Sequence, residues 1–333
     1  MPNVPSLPRA QAPVGDPASE PTPGAVAISV VIPIFNEADN LELLHKRLTQ
    51  TLVQLGRPYE VWYVDDGSRD GSIDILRSFA SADSRVAVIE LTRNFGQHAA
   101  VLAGFAAARG DIVITLDGDL QNPPEEIPRL VAKLEEGYEV VGGWREHRHD
   151  PAYRRAASDL INHLTSLTVG VKMNDYGCML RAYQRGIVRQ IIECDERSSF
   201  IPALANSLAK RTAEIEVGHS DRWSGSSKYS LLKLMRLSFD LITGFSLLPI
   251  QMVSLLGIIV AMAGMGFGVF LLVRRLFVGP ESEGVFTLFA ILFVFIGVLI
   301  LAVGMVGEYV GRIYLEVRRR PTYRIRAIHQ RAR

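Results

Sequence analysis

Apolar residues fall along this chain in three rhythms, and each predicts a different kind of element. Short β-branched runs, Ala27–Ile34, Tyr59–Val64, Val86–Leu91 and the stretch opening at Asp111 with Ile112, Val113, Ile114 and Leu116, read as strands buried on both faces. Between them Ala38–Leu55, Ser72–Ala80 and Gln97–Arg109 carry helical spacing. Strand alternating with helix predicts an α/β domain built on a doubly wound, mostly parallel sheet. Further on, Ser230–Phe245 places Leu231, Leu234, Met235, Phe239 and Ile242 on one helical face, as an interfacial amphipathic helix does.

The third rhythm is uninterrupted. No residue is charged between Asp240 and Arg274, nor between Glu283 and Glu308. Both gaps exceed the roughly 20 residues that cross a bilayer. Two transmembrane helices are expected at about 250–273 and 285–306, with Pro249 dividing the first gap. The alternative is a buried helical hairpin. The implied organisation is a leader at 1–25, a large α/β domain at 26–228, an interfacial helix at 229–248, the spans within 249–307 and a basic tail at 308–333.

Composition sharpens this picture. Of 333 residues 48% are hydrophobic, high for a wholly soluble chain, and the net charge of +1 suggests no nucleic acid partner. The small net charge conceals an asymmetry. Lys228, Lys233 and Arg236 precede the first span, and Arg312, Arg318, Arg319, Arg320, Arg324, Arg326, Arg331 and Arg333 follow the second. The intervening loop sets Arg274 and Arg275 against Glu281 and Glu283. The positive-inside rule then puts both the large amino-terminal region and the tail in the cytoplasm, at the inner membrane, where the arginines can meet anionic lipid headgroups. Cys178 and Cys194 have no spacing that suggests a disulfide framework or a zinc site. Met1–Gly24, rich in Pro and Ala, lacks the apolar core of a signal peptide and reads as disordered.

The chemistry gathers at strand ends. Three runs finish in polar clusters: Asn36 and Glu37 after Pro33-Ile34-Phe35, Asp65 and Asp66 before Gly67-Ser68, and Asp117-Gly118-Asp119-Leu120-Gln121. Ligands of open α/β sheets lie outside the carboxyl ends of the strands. Two carboxylates as close as Asp117 and Asp119 repel, and Mg²⁺ or Mn²⁺ would relieve the repulsion while leaving coordination positions for the phosphates of a nucleotide. Carboxylates on neighbouring strands can accept from a uracil edge and ribose hydroxyls. A plain surface turn competes for the Asp-Gly-Asp unit, and one of Asp65 and Asp66 is expected to cap the turn through Gly67 and Ser68. The absence of a Gly-x-Gly-x-x-Gly after the first strand argues against a dinucleotide site. Beyond the next predicted strand, Gly142–His149 is a basic loop with Arg145 and Arg148, followed by Arg154 and Arg155. Such arginines suit a diphosphate or a lipid phosphate, although a solvated basic loop would look the same. His147 and His149 lack an adjoining third ligand for a metal. Arg222, Ser226, Lys228 and Tyr229 lead into the amphipathic stretch, where Arg222 and Lys228 would meet phosphate.

Val31-Ile-Pro-Ile-Phe-Asn-Glu37, Val64-Asp-Asp-Gly-Ser-Arg-Asp-Gly-Ser72 and Leu116-Asp-Gly-Asp-Leu-Gln121, in this order, resemble the family 2 glycosyltransferases of GT-A, Rossmann-like fold. With two carboxyl-terminal spans the chain is similar to the polyprenyl-phosphate branch. Asp119–Pro128, Asp175–Tyr183, Glu196–Pro202, Ser227–Ser230 and Gly307–Tyr314 resemble, within it, the enzymes that load undecaprenyl phosphate with 4-deoxy-4-formamido-L-arabinose for lipid A modification and polymyxin resistance. The likeness runs from Ile28 to Tyr323.

The resemblance implies an inverting transfer from a UDP-sugar to undecaprenyl phosphate, with release of UDP, and a homo-oligomer, a tetramer. It implies that Pro33, Phe35, Asn36, Glu37, Asp65, Asp66 and Arg93 bind nucleotide, that Asp117, Asp119 and Gln121 hold the metal, and that Asp117, Asp119, Asp175 and Arg145 serve catalysis. Arg148, Arg154, Arg222, Ser226 and Lys228 would take the acceptor phosphate. Because a lipid phosphate is already largely anionic at neutral pH, Asp175 is expected to position or stabilise charge rather than abstract a proton, with helix capping as the plain alternative. The sugar rests on resemblance, and glucose or mannose would suit the same acids. Two other classes compete. A processive polysaccharide synthase would carry Gln-x-x-Arg-Trp where this chain has His219-Ser-Asp-Arg-Trp223, and two spans are too few to conduct a polymer. A catalytically silent membrane scaffold would have no use for acids on three strand ends.

Overall fold

The computed structural model describes residues 26–144, 178–194, 200–218, 248–278, 285–317 and 321–331. Strands β1 (Ile28–Ile34), β2 (Tyr59–Asp65), β3 (Val86–Leu91) and β4 (Ile112–Thr115) alternate with helices α1 (Ala38–Leu55), α2 (Ser72–Ala82) and α3 (Gln97–Ala107). A 3₁₀ turn (Pro124–Glu126) and α4 (Ile127–Glu135) lead to β5 (Val140–Trp144). Strand β6 (Arg181–Gln184), helices α5 (Arg185–Glu193) and α6 (Ile201–Leu208) and strand β7 (Thr212–Glu216) complete the domain. The long helices α7 (Leu248–Val278) and α8 (Val285–Val317) follow, and the described chain closes with strand β8 (Ile325–Gln330).

One sheet runs in the order β7-β5-β6-β4-β1-β2-β3-β8. Strands β4, β1, β2 and β3 are parallel, β5 and β7 are parallel to each other, and β6 and β8 run antiparallel to their neighbours. The β-branched runs are central because helices cover both faces. Val30, Ile32, Val61, Tyr63 and Val88 pack with Leu41, Leu44 and Leu48 of α1, Leu76 of α2 and Leu130 of α4. The alternate residues, Val31, Trp62, Val64 and Ile89 among them, pack with α3, α5 and α6 through Val101, Phe105, Ile187, Val188 and Leu204. Alternation within each strand thus feeds two cores.

At the amino-terminal edge a polar knot ties the parallel strands together. Glu60 of β2, buried, accepts from Ser29 Oγ at 2.7 Å, from the Arg109 backbone N–H at 2.8 Å and from its guanidinium at 2.7 and 3.1 Å. The opposite, carboxyl-terminal edge carries the polar clusters Asn36–Glu37 and Asp65–Asp66 that follow β1 and end β2.

The helices α7 and α8 are long and apolar enough to cross a membrane, over Ile250–Phe270 and Val294–Gly311. They pack on each other, yet Met252, Leu255, Phe270, Leu299, Ile300 and Val303 stay exposed, as lipid-facing side chains do. This outward apolar surface is unlike the buried hairpin alternative. Both helices outrun the apolar gaps, α8 ending only at Val317. The described residues 321–331 have more structure than the arginines suggest: Tyr323 packs against the core of the α/β domain, and β8 pairs with β3 from Ala87↔Gln330 to Leu91↔Ile325.

Candidate active site

The strand order reverses between β1 and β4, the place where an open sheet forms a crevice. β1 pairs with β4 only as far as Val31↔Thr115, whereas its pairing with β2 runs on to Ile34↔Asp65. Pro33 therefore lies beyond the β4 ladder, where its missing N–H costs no bond on that side.

The ends of β1 and β2 are stitched into one wall. Asn36 N–H donates to Ser68 Oγ at 3.0 Å, Glu37 N–H to Ser72 Oγ at 3.1 Å and Ala38 N–H to Asp70 Oδ2 at 3.0 Å. Arg69 N–H returns a bond to Asn36 Oδ1 at 2.8 Å. Asn36 takes left-handed backbone geometry, φ +56°, which asparagine tolerates well. Phe35 between these polar groups remains 44% exposed, an uncovered aromatic face inside a hydrophilic crevice. Glu37 Oε2 accepts from Asn40 Nδ2 at 2.6 Å.

The two aspartates ending β2 have divided their work. Asp65 caps the turn, receiving Ser68 N–H at 3.3 Å on both oxygens, so the expected cap is found in the first of the pair. Asp66 reaches the loop after β3, accepting from Phe95 N–H at 2.7 Å and Gly96 N–H at 2.8 Å. Burial pushes both carboxyls above the usual carboxylate range against those hydrogen bonds. Gly67 makes the approach possible: its φ is +74°, and a Cβ there would stand 2.7 Å from the Arg93 carbonyl carbon. The Arg93 guanidinium in turn lies 4.7 Å over the Phe95 ring.

The Asp117–Gln121 turn crosses in front of β1. A Cβ on Gly118 would meet Ile34 Cδ1 at 2.6 Å, so a larger residue there would push the end of that side chain aside. Asp117 is held by two amides, Gln97 Nε2 to Oδ1 at 2.6 Å and Asn122 Nδ2 to Oδ2 at 3.1 Å. Asn122, buried, is itself met by the Cys178 thiol at 3.6 Å. Asp119 Oδ1 receives Gln121 N–H at 3.1 Å. Leu120 between them has φ +60°, a left-handed conformation costing a leucine roughly 1–2 kcal/mol, and is anchored by burial in the core. Strain held this way next to functional groups fits a turn whose shape matters. Asp117, Asp119 and Gln121 would offer two carboxylates and one amide oxygen, a hard set that would suit Mg²⁺ or Mn²⁺ rather than zinc. No three His, Cys, Asp or Glu side chains converge among the described residues, so such an ion would draw the rest of its shell from phosphate and water.

Three further residues escaped sequence reading. Gln97 and Asn122 orient Asp117, and only their distance from it in space reveals this. Arg181 is fully buried, its Nε donating to the Cys178 carbonyl at 3.0 Å and its guanidinium lying against Gly142, where a Cβ would be 2.6 Å away. Of the sequence-predicted residues, Pro33, Phe35, Asn36, Glu37, Asp65, Asp66, Arg93, Asp117, Asp119 and Gln121 line one sheet edge. Arg145, Arg148, Arg154, Asp175, Arg222, Ser226 and Lys228 lie outside the described residues.

A mostly parallel sheet with acids on three adjacent strand ends and a turn-borne Asp-Gly-Asp is the arrangement of GT-A glycosyltransferases. The chain belongs to glycosyl transferase family 2, whose profile matches residues 29–192, as the motifs in the sequence imply. Within it, the chain is 52% identical over 304 residues to the undecaprenyl-phosphate 4-deoxy-4-formamido-L-arabinose transferase of Edwardsiella ictaluri, spanning 90% of this chain and 94% of that one. The enzyme of the same name from Aeromonas hydrophila is 51% identical over 90% of this chain and 93% of its own. Among solved structures, glucosyl-3-phosphoglycerate synthase from Mycobacterium tuberculosis, in complex with Mn²⁺, UDP and glucosyl-3-phosphoglycerate, is 21% identical. The match covers 66% of this chain and 78% of that one with a TM-score of 0.46.

Proposed function

We propose that this enzyme transfers 4-deoxy-4-formamido-L-arabinose from UDP to undecaprenyl phosphate at the cytoplasmic face of the inner membrane, with inversion at the anomeric carbon. Identity of about half over nearly the whole length of relatives so named carries the choice of substrates. The uracil would stack on exposed Phe35 and be met by Asp65, while Pro33, Asn36, Glu37, Asp66 and Arg93 hold the wall that frames it. Asp117, fixed by Gln97 and Asn122, together with Asp119 and Gln121, would hold a Mg²⁺ or Mn²⁺ ion, which supplies positive charge against the departing diphosphate.

The phosphate oxygen of the lipid attacks the anomeric carbon in line, the carbon–oxygen bond to UDP breaks, and UDP leaves with the bonding pair. No proton need move, because the attacking phosphate is already ionised. Arg148, Arg154, Arg222, Ser226 and Lys228 would hold that phosphate, Arg145 would face the diphosphate, and Asp175 would orient the acceptor. Two membrane helices bring the domain to the lipid. The sheet supports a common side for both ends of the helical pair, since β8, after α8, shares it with the strands that precede α7. A homo-tetramer is the proposed assembly.

The test uses purified full-length protein with undecaprenyl phosphate and a panel of UDP- and GDP-sugars. Transfer is expected from UDP-4-deoxy-4-formamido-L-arabinose, with loss of at least a hundredfold in Asp119→Ala and on chelation by EDTA. Preference for UDP-glucose or GDP-mannose would overturn the sugar assignment, and EDTA-insensitive transfer the metal.

A further inference from the structure

Strand β8 does more than cover the edge of β3. Glu90 of β3, only 5% exposed, collects two guanidinium groups and an imidazole: Arg77 Nη2 at 2.9 Å from α2, Arg326 Nη1 at 2.9 Å and His329 Nε2 at 3.1 Å, the last two from β8. Arg326 Nη2 also donates to the Thr92 carbonyl at 3.3 Å, and Thr92 N–H donates to the Arg324 carbonyl at 2.9 Å. The pairing shifts register at Glu90 and Leu91, the point where β8 meets this cluster.

Glu90 is also the register partner of Asp65 on β2. Neighbours in parallel register point to the same face, so two carboxylates, both buried, stand one strand apart. Left uncompensated, the charge on Glu90 works against charge on Asp65, adding to the effect of burial. The wall is coupled mechanically as well. Asp66 is bonded to Phe95 and Gly96, and Gly67 lies on Arg93, so the loop after β3, one residue beyond the Arg324 contact, forms half of the nucleotide cradle.

We propose that Arg326 and His329 are positioning residues for the donor: Arg326 neutralises Glu90 and His329 holds its second oxygen, which keeps Asp65 an anionic acceptor, and nucleotide affinity therefore depends on the carboxyl-terminal strand being seated. This rests on the donor reading above. It ties the site to the membrane, because only residues 318–324 separate the end of α8 from β8.

The test measures UDP binding by calorimetry, with Mg²⁺ present, and steady-state constants for both substrates on the full-length protein in detergent. Arg326→Ala is expected to raise the UDP Kd and the donor KM about tenfold, leaving the lipid KM unchanged. Arg326→Lys should recover most of the loss, and so should Arg326→Ala combined with Glu90→Gln, since removing the carboxylate removes the need for its partner. A variant that merely lost an anchoring bond would gain nothing from Glu90→Gln. An unchanged UDP Kd in Arg326→Ala overturns the proposal, as does a loss that Glu90→Gln fails to restore. A wild-type chain that binds no UDP would instead sink the donor reading on which the proposal stands.

Discussion

His98, next to the Gln97 that holds Asp117, shows how far a single side chain can depart from what its type suggests. Its Nδ1 is buried with no hydrogen-bond partner among the described residues, and its ring meets Phe200 edge-on at 5.2 Å. Burial pushes the imidazole down to about 4. It is therefore neutral at physiological pH, and the sign of its contribution follows. Between pH 6.5 and 4 the unfolded chain takes up a proton that the folded chain refuses, so stability falls as pH falls through that window and levels off below it. The loss is at most about 3 kcal/mol. His98→Gln should remove this slope, measured as the difference in thermal midpoint between variant and wild type across the window. Parallel curves would contradict it. At this scale the sequence was a good guide to the acids, since Asp65, Asp66, Asp117 and Asp119 stand where strand ends were expected. It was silent on Gln97, Asn122 and Leu120, because their importance comes from a crossing of loops and a left-handed φ, neither of which leaves a pattern in neighbouring residues.

At the scale of elements, β1 to β4 were legible because strands covered on both faces need continuous β-branched runs. The boundaries of α1 and β3 coincide with those read from the sequence, while α3 stops at Ala107, short of Arg109, whose backbone N–H turns to Glu60. That knot at the amino-terminal edge sets the stagger of β1 and β2 from below, and so the alignment of their carboxyl ends. Glu60→Ala is expected to destabilise the fold by about 2–3 kcal/mol in chemical denaturation, through the hydrogen bonds lost by Ser29 and Arg109. Asp74→Ala, which removes a solvent-exposed pair with Arg77, should cost less than about 0.5 kcal/mol. Equal losses in the two would mean that burial of Glu60 contributes nothing. Strand β8 was not legible at all. Ile325-Arg-Ala-Ile-His-Gln330 carries one arginine and one histidine and reads as part of a basic tail; it is a strand only because β3 offers an edge to pair with and Glu90 a buried carboxylate.

For the whole molecule, return of the chain from α8 to the catalytic sheet requires both ends of the helical pair to lie on one side of a bilayer. The native Cys194 is exposed on the catalytic domain and gives a ready probe. In intact cells a membrane-impermeant maleimide should label Ser282→Cys between the two helices and leave Cys194 unmodified until the membrane is opened. The reverse pattern would place the catalytic domain outside. What the sequence by itself determined was the inventory of local decisions: which segments are strands, which are helices, which are too apolar to leave lipid, and which acids finish strands. Each of these depends on residues near one another in the chain, where periodicity and turn chemistry act. Only the tertiary structure decided which acids become neighbours, that Asp117 is clasped from two loops, and that the last strand neutralises a carboxylate beside Asp65. Those contacts join residues up to 239 positions apart, as between Glu90 and His329, and their energy exists only once the sheet has brought the partners together.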